Sequence, residues 1–104
     1  MKTIKVTYTV KPEFILKNQE NIDSFMKDFR KINPADFRYV VYLLGDGKTF
    51  MHLSTYANDE IQKRVLAIES FTTFQRQRDE SGLQGSHKIE ELKLVASSHD
   101  ILAL

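Results

Sequence analysis

Apolar and polar residues alternate from Lys2 to Val10, with Ile4, Val6, Tyr8 and Val10 on one side and Thr3, Lys5, Thr7 and Thr9 on the other. A period of two marks a strand with one buried face. The period then lengthens. Pro12 stands where a helix can begin, since its missing N–H costs nothing in the first turn. From Glu13 the apolar residues Ile15, Ile22, Phe25, Met26, Phe29 and Ile32 recur at steps of three, four and seven. That stripe predicts an amphipathic helix whose Phe25 and Phe29 face the core. Asn33-Pro34 closes it, because proline disfavours the α conformation in the residue before it.

Phe37 to Tyr56, FRYVVYLLGDGKTFMHLSTY, reads as two strands folded back about Asp46-Gly47, a pair suited to the positive φ angles of a tight turn. A two-residue or four-residue loop sets Leu44 opposite Thr49, Tyr42 opposite Met51 and Val40 opposite Leu53. The other face then carries Phe37, Tyr39, Val41 and Leu43 with Phe50, His52, Ser54 and Tyr56. A hairpin wet on one side alternates apolar and polar. This one does not, so both faces need cover.

Asn58 is a candidate cap for a short helix from Asp59 to about Leu66. Ser70 could cap the next, which carries Phe71 and Phe74 and ends near Gly82, and the sequence leaves open whether these are one broken helix or two. Ser86 to Ser98 is predicted as the last strand, with Leu92, Leu94 and Ala96 on one face and Ile89, Glu91, Lys93 and Val95 on the other. The tail His99 to Leu104 holds Ile101, Leu102 and Leu104, which dock on this chain or on a partner. The order β-α-β-β-α-β predicts an α+β, ferredoxin-like fold: a four-stranded antiparallel sheet with two helices on one face, in a single domain spanning 1–104.

Two helices cover one face only. The apolar set on the other is Val40, Tyr42, Leu44, Met51 and Leu53, or else Tyr39, Val41, Leu43 and Phe50. Exposing such side chains forfeits about 1.5–3 kcal/mol each, so four or five amount to roughly 6–15 kcal/mol, the whole stability of a small domain. A second copy packed sheet to sheet about a two-fold axis removes that cost. A homodimer through the open face is therefore expected.

Composition narrows the chemistry. Fifteen Lys and Arg against fourteen Asp and Glu leave a formal charge of +1, no field for nucleic acid or an anionic membrane. The sequence has no cysteine, which removes disulfides, thiolate nucleophiles and cysteine-based zinc sites. The start MKTIKVTYTV has no continuous apolar run, and no segment is long enough to span a bilayer, so a cytoplasmic location is expected. His87 and His99 have no second ligand at metal spacing, and no metal is expected. Gly45-Asp46-Gly47-Lys48 lacks the rest of a phosphate loop and reads as a turn.

The strand order, the stretch RYVVYLLGDGKTFMHLSTY (Arg38 to Tyr56) and SFTTFQ (Ser70 to Gln75) resemble the antibiotic biosynthesis monooxygenase-like family of the dimeric α+β barrel superfamily. The resemblance covers nearly the whole chain. It implies a pocket between sheet and helices, and cofactor-free oxidation of phenolic compounds in one branch. That branch carries Asn and Trp where this chain has His52 and Tyr56, and its helical Arg is most similar to Arg76. In the haem-degrading branch a helical His is the axial ligand, and the matching place here is Gln75. No cofactor is therefore expected.

His52 is the leading site candidate, with Tyr56 four residues on along the same strand face. Two readings are open. In one, a neutral imidazole with a pKa near neutrality takes a proton from a phenol and O₂ reacts with the resulting anion. In the other, the ring is structural, its nitrogens satisfied by Ser54 or a tyrosine. Tyr8, Tyr39 and Tyr42 read as packing residues with a polar tip, and Arg76 and Arg78 as a solvated helical face. The functional expectation is a cofactor-independent monooxygenase for a small aromatic or quinol-type substrate, with His52 as base and Tyr56 and Arg76 positioning it. The alternative is a non-catalytic homodimer binding a small apolar metabolite or a protein. RNA binding, which shares the strand order, lacks its glycine in Lys48-Thr49-Phe50.

Overall fold

The computed structural model describes residues 1–103, and the predicted apolar tail residue Leu104 lies outside them. Strand β1 (Lys2–Thr9) leads through a 3₁₀ turn (Pro12–Phe14) into helix α1 (Ile15–Phe29), with Pro12 in the first turn as its chemistry dictates. The hairpin β2 (Phe37–Leu43) and β3 (Thr49–Tyr56) follows, then α2 (Asp59–Leu66), α3 (Glu69–Gln77), a π-helical turn (Arg78–Gly82) and β4 (Lys88–Leu92). The strands lie in the order β2-β3-β1-β4 and every pairing is antiparallel. This is the ferredoxin-like α+β arrangement expected.

The hairpin register is as the sequence dictates, with Tyr42 opposite Met51 and Val40 opposite Leu53. Its turn differs from the expected one. Gly47 has a φ of 75° and Asp46 keeps a negative φ, so this is not a turn with two left-handed residues. The Leu44 N–H donates to the Thr49 carbonyl, enclosing four loop residues. Asp46 shapes the loop through its carboxylate, which accepts from the backbone N–H of Lys48 and Thr49 and from the Thr49 hydroxyl. Those bonds lower the Asp46 pKa, the Thr49 hydroxyl first.

The face left open by the sequence is now assigned. Phe37, Phe50, His52, Ser54, Tyr56, Tyr8 and Val10 are buried together with Phe25, Phe29, Phe71 and Phe74 from the helices. The opposite face carries Val40, Tyr42, Met51 and Leu53 on β2 and β3, and Thr3, Lys5, Thr7, Lys88 and Glu90 on β1 and β4. Tyr42 is 52% exposed. The open face is thus mainly apolar over the β2–β3 half and, Leu92 apart, polar over the β1–β4 half.

Two local expectations change, and one open question is settled. Asn58 caps α2, accepting from the Ile61 N–H, but Ser70 does not cap α3. Its hydroxyl instead donates to the Asp28 carboxylate and ties α3 to α1, which lowers the Asp28 pKa. The second helical region is two helices, because Ile68 adopts extended backbone between them. And β4 stops at Leu92 rather than Ser98. Residues 93–100 run exposed without regular structure, and the tail then docks on its own chain: Ile101 and Leu102 are half-buried and the Ala103 N–H donates to the Pro34 carbonyl. Among the described residues no helix is long and apolar enough to cross a membrane.

Candidate active site

The helix-facing side of β3 aims His52, Ser54 and Tyr56 into the layer between sheet and helices, because alternate residues of a strand share a face. His52 and Ser54 pair across to Val6 and Ile4 on β1, and to Val41 and Tyr39 on β2. On one side of His52 the space is filled. Phe25, at 5.0–5.1 Å from the Phe74 and Phe71 rings, and Phe74, stacked on the imidazole at 5.4 Å, form a solid aromatic wall. On the other side lies a cavity of about 320 Å³. It is bordered by Tyr39, His52, Ser54 and Tyr56 from the sheet, by Phe71 and Gln75 from α3, and by Gln62 and Leu66 from α2. That volume is at the lower end of small-molecule sites, and the mixture of apolar wall and a few polar groups is typical of them.

Both nitrogens of His52 are engaged. The Tyr8 hydroxyl lies 2.7 Å from Nε2 and the Tyr39 hydroxyl 2.6 Å from Nδ1. Behind Tyr8, the Asn18 side-chain amide donates to its hydroxyl at 2.9 Å. Asn18 is fully buried, and its Oδ1 has no hydrogen-bond partner among the described residues. Arg78, buried, packs beside this hydrogen-bonded chain. Its guanidinium lies 5.3 Å from both the Tyr8 and Phe74 ring centroids, while its Nε donates to Asp79 at 2.9 Å. The π-helical turn that begins at Arg78 rests on Phe14, where a Cβ at Gly82 would come within 2.5 Å of the ring.

Burial sets the protonation states. Desolvation, then the Arg78 charge, push the His52 pKa from 6.5 down to about 3. The imidazole is therefore neutral across the physiological range, well below the near-neutral value expected of a poised base. The Tyr8, Tyr39 and Tyr56 phenols are all raised by burial. The cluster is a set of uncharged hydrogen-bonding groups beside one buried cation.

Of the residues singled out from sequence, His52 and Tyr56 border the same cavity, whereas Arg76 is exposed and lies off its wall. The buried arginine is Arg78, two positions on. The structural reading of His52 describes its hydrogen bonds correctly, with Tyr8 and Tyr39 as the partners. Asn18 was not singled out, and its signal is its spacing. It lies three residues after Ile15 and four before Ile22, a polar residue inside an apolar stripe. Among the described residues no cluster of three or more His, Asp or Glu could hold a metal ion.

No family model matches the sequence, and no curated protein sequence matches it. Solved structures do match. A protein named an antibiotic biosynthesis monooxygenase superimposes with a TM-score of 0.78 at 13% identity, over 92% of this chain and 100% of that one. A Nitrosomonas europaea protein, provisionally given the same name, matches with a TM-score of 0.78 at 12% identity, over 92% of this chain and 100% of its own. A Pseudomonas aeruginosa protein matches at 0.75 with 22% identity, over 91% and 94%. The fold is an α+β ferredoxin-like sheet-and-helix layer. More narrowly, it is that of the antibiotic biosynthesis monooxygenase-like domain.

Proposed function

We propose that this protein is a cofactor-independent monooxygenase that takes a small aromatic or quinol-type compound into the cavity beside His52, as a homodimer closed through the open sheet face. The observation carrying the first part is that cavity, about 320 Å³ with Tyr39, His52 and Tyr56 on one wall. Phe71 and Tyr56 border it with aromatic side chains suited to an aromatic ligand. Tyr39 meets the substrate's oxygen, His52 holds Tyr39 in place through its 2.6 Å hydrogen bond, and Tyr56 with Gln75 positions the ring. Arg76, exposed, is left outside this scheme. For a methylene substrate such as an anthrone, the CH₂ group and O₂ give a carbonyl and water. The substrate anion supplies the electrons, one oxygen atom enters the ring and the other leaves as water. The fold shared with proteins named antibiotic biosynthesis monooxygenases supports this reading.

Oxygen uptake with dihydroxynaphthalenes and anthrones tests it. Wild type is expected to exceed background, and His52→Ala to lose about 10²-fold or more. Equal background rates from both would sink the oxygenase reading.

For the assembly, Val40, Tyr42, Met51 and Leu53 form an apolar half-face that no helix of the chain covers. Sedimentation or light scattering is expected to give twice the chain mass at micromolar concentration, and Tyr42→Glu combined with Leu53→Glu to shift it toward the monomer. A wild-type mass equal to one chain would refute the dimer.

A further inference from the structure

The chain of hydrogen bonds behind the cavity has a direction, and that direction says what the ligand presents. Asn18 Nδ2 is a donor and reaches the Tyr8 oxygen at 2.9 Å. A phenol has a single proton, and the Tyr8 hydroxyl makes no hydrogen bond to any other described residue except His52, so that proton points at Nε2. A neutral imidazole carries one N–H. With Nε2 accepting, it sits on Nδ1 and donates to the Tyr39 oxygen at 2.6 Å. The proton of Tyr39 is then left with no acceptor among the described residues, on a side chain that borders the cavity.

The reverse order is conceivable on connectivity alone. Turning the Asn18 amide over would let Oδ1 accept from Tyr8 and would invert each bond in turn. Arg78 decides between them. Its cation lies over the Tyr8 ring, 5.3 Å from the centroid, and not on the cavity wall, with Asp79 accepting from its Nε. A positive charge there favours the order whose hydrogens all point away from it, toward the cavity. The same charge, together with burial, opposes a proton resting on His52.

Resting on the pocket reading above, we infer that the Asn18–Tyr8–His52–Tyr39 chain is polarised outward, so that Tyr39 donates to a carbonyl or enolate oxygen conjugated to the ligand's aromatic ring. Asn18, Tyr8 and His52 are positioning residues acting through Tyr39. In the oxidation of an anthrone this donor meets the oxygen on which negative charge develops as the C–H proton passes to solvent, where a fixed donor is most effective. His52 then serves by holding Tyr39 as a donor, and not as the base.

The first test needs no variant and no ligand. Long-range ¹H–¹⁵N NMR of His52 in the wild-type protein at neutral pH should show a neutral ring protonated on Nδ1. Protonation on Nε2, or an imidazolium, overturns the inference. Asn18→Asp, whose carboxylate can only accept, should move the proton to Nε2, and an unchanged tautomer in the folded variant also counts against it. The second test is binding. Tyr39→Phe should weaken 1,4-naphthoquinone, an acceptor only, by about 10-fold while leaving naphthalene unchanged. Equal effects on both, or none on either, overturn the donor role. Failure of wild type to bind any of these probes would count instead against the cavity as a ligand site, and the tautomer would still decide the polarity.

Discussion

Acidification from about pH 6.5 toward pH 3 is expected to destabilise this protein by several kcal/mol through His52 alone. The folded-state pKa is about 3 against 6.5 for the free side chain, held down by burial first and by the Arg78 charge second. In the unfolded chain His52 takes up a proton as the pH falls below 6.5, while in the folded chain it stays neutral. Protons therefore bind the unfolded state preferentially, and its free energy falls relative to the fold. The penalty is absent above pH 6.5, grows as the pH falls from 6.5 toward the folded pKa, and is complete there. Each pKa unit is worth about 1.4 kcal/mol, and a small domain has only about 5–15 kcal/mol in hand. Asp28 and Asp46 also have lowered pKa values, but such carboxylates act below about pH 5. The interval between about pH 6 and 5 thus isolates the histidine. Urea melts across that interval should show the unfolding free energy of wild type falling steadily, with a flat profile for His52→Gln. A wild-type profile equally flat there would mean that the imidazole is not desolvated as the structure places it.

The fold was largely legible because hydrophobic period reports on faces, and faces decide pairing. The register of β2 on β3 and the helical stripe of α1 came straight from spacing. The edges were not legible. Leu94 and Ala96 continue the alternation of β4, but alternation records which side a residue points to and not whether a neighbouring strand exists to pair with it. Ser70 had the chemistry of a cap, yet a cap must sit at the extended residue just before the helix, and Ile68 holds that place. The site divides the same way. His52 and Tyr56 stood out as polar groups on an apolar face. Arg78 lies four residues after Phe74 and seven after Phe71, on the buried side of its helix, whereas Arg76 is turned away. Composition hid this, since QRQRDE as a string reads as a solvated surface. Tyr8 and Tyr39 looked like packing residues because their significance lies in a three-way meeting with His52 across strands, which no local pattern encodes.

Phe25→Ala is expected to be the most damaging single substitution, about 3–5 kcal/mol. Phe25 is fully buried on α1, and its ring meets those of Phe29 at 4.8 Å, Phe74 at 5.0 Å, Phe71 at 5.1 Å and Tyr39 at 5.4 Å. Those partners belong to α1, α3 and β2, so the ring joins both helical walls to the sheet. Truncation removes its transfer free energy and leaves a void that three elements would have to close together. Partial collapse has a specific cost here, because Tyr39 and Phe74 both contact the His52 ring. Movement of either toward the void pulls on the 2.6 Å bond between Tyr39 and His52. Phe25→Leu, which fills more of the space, should cost distinctly less. Thermal melts of the three proteins would rank them wild type, Phe25→Leu, Phe25→Ala in falling stability. If Phe25→Ala melts within a few degrees of wild type, the aromatic wall is not what holds α1 and α3 to the sheet.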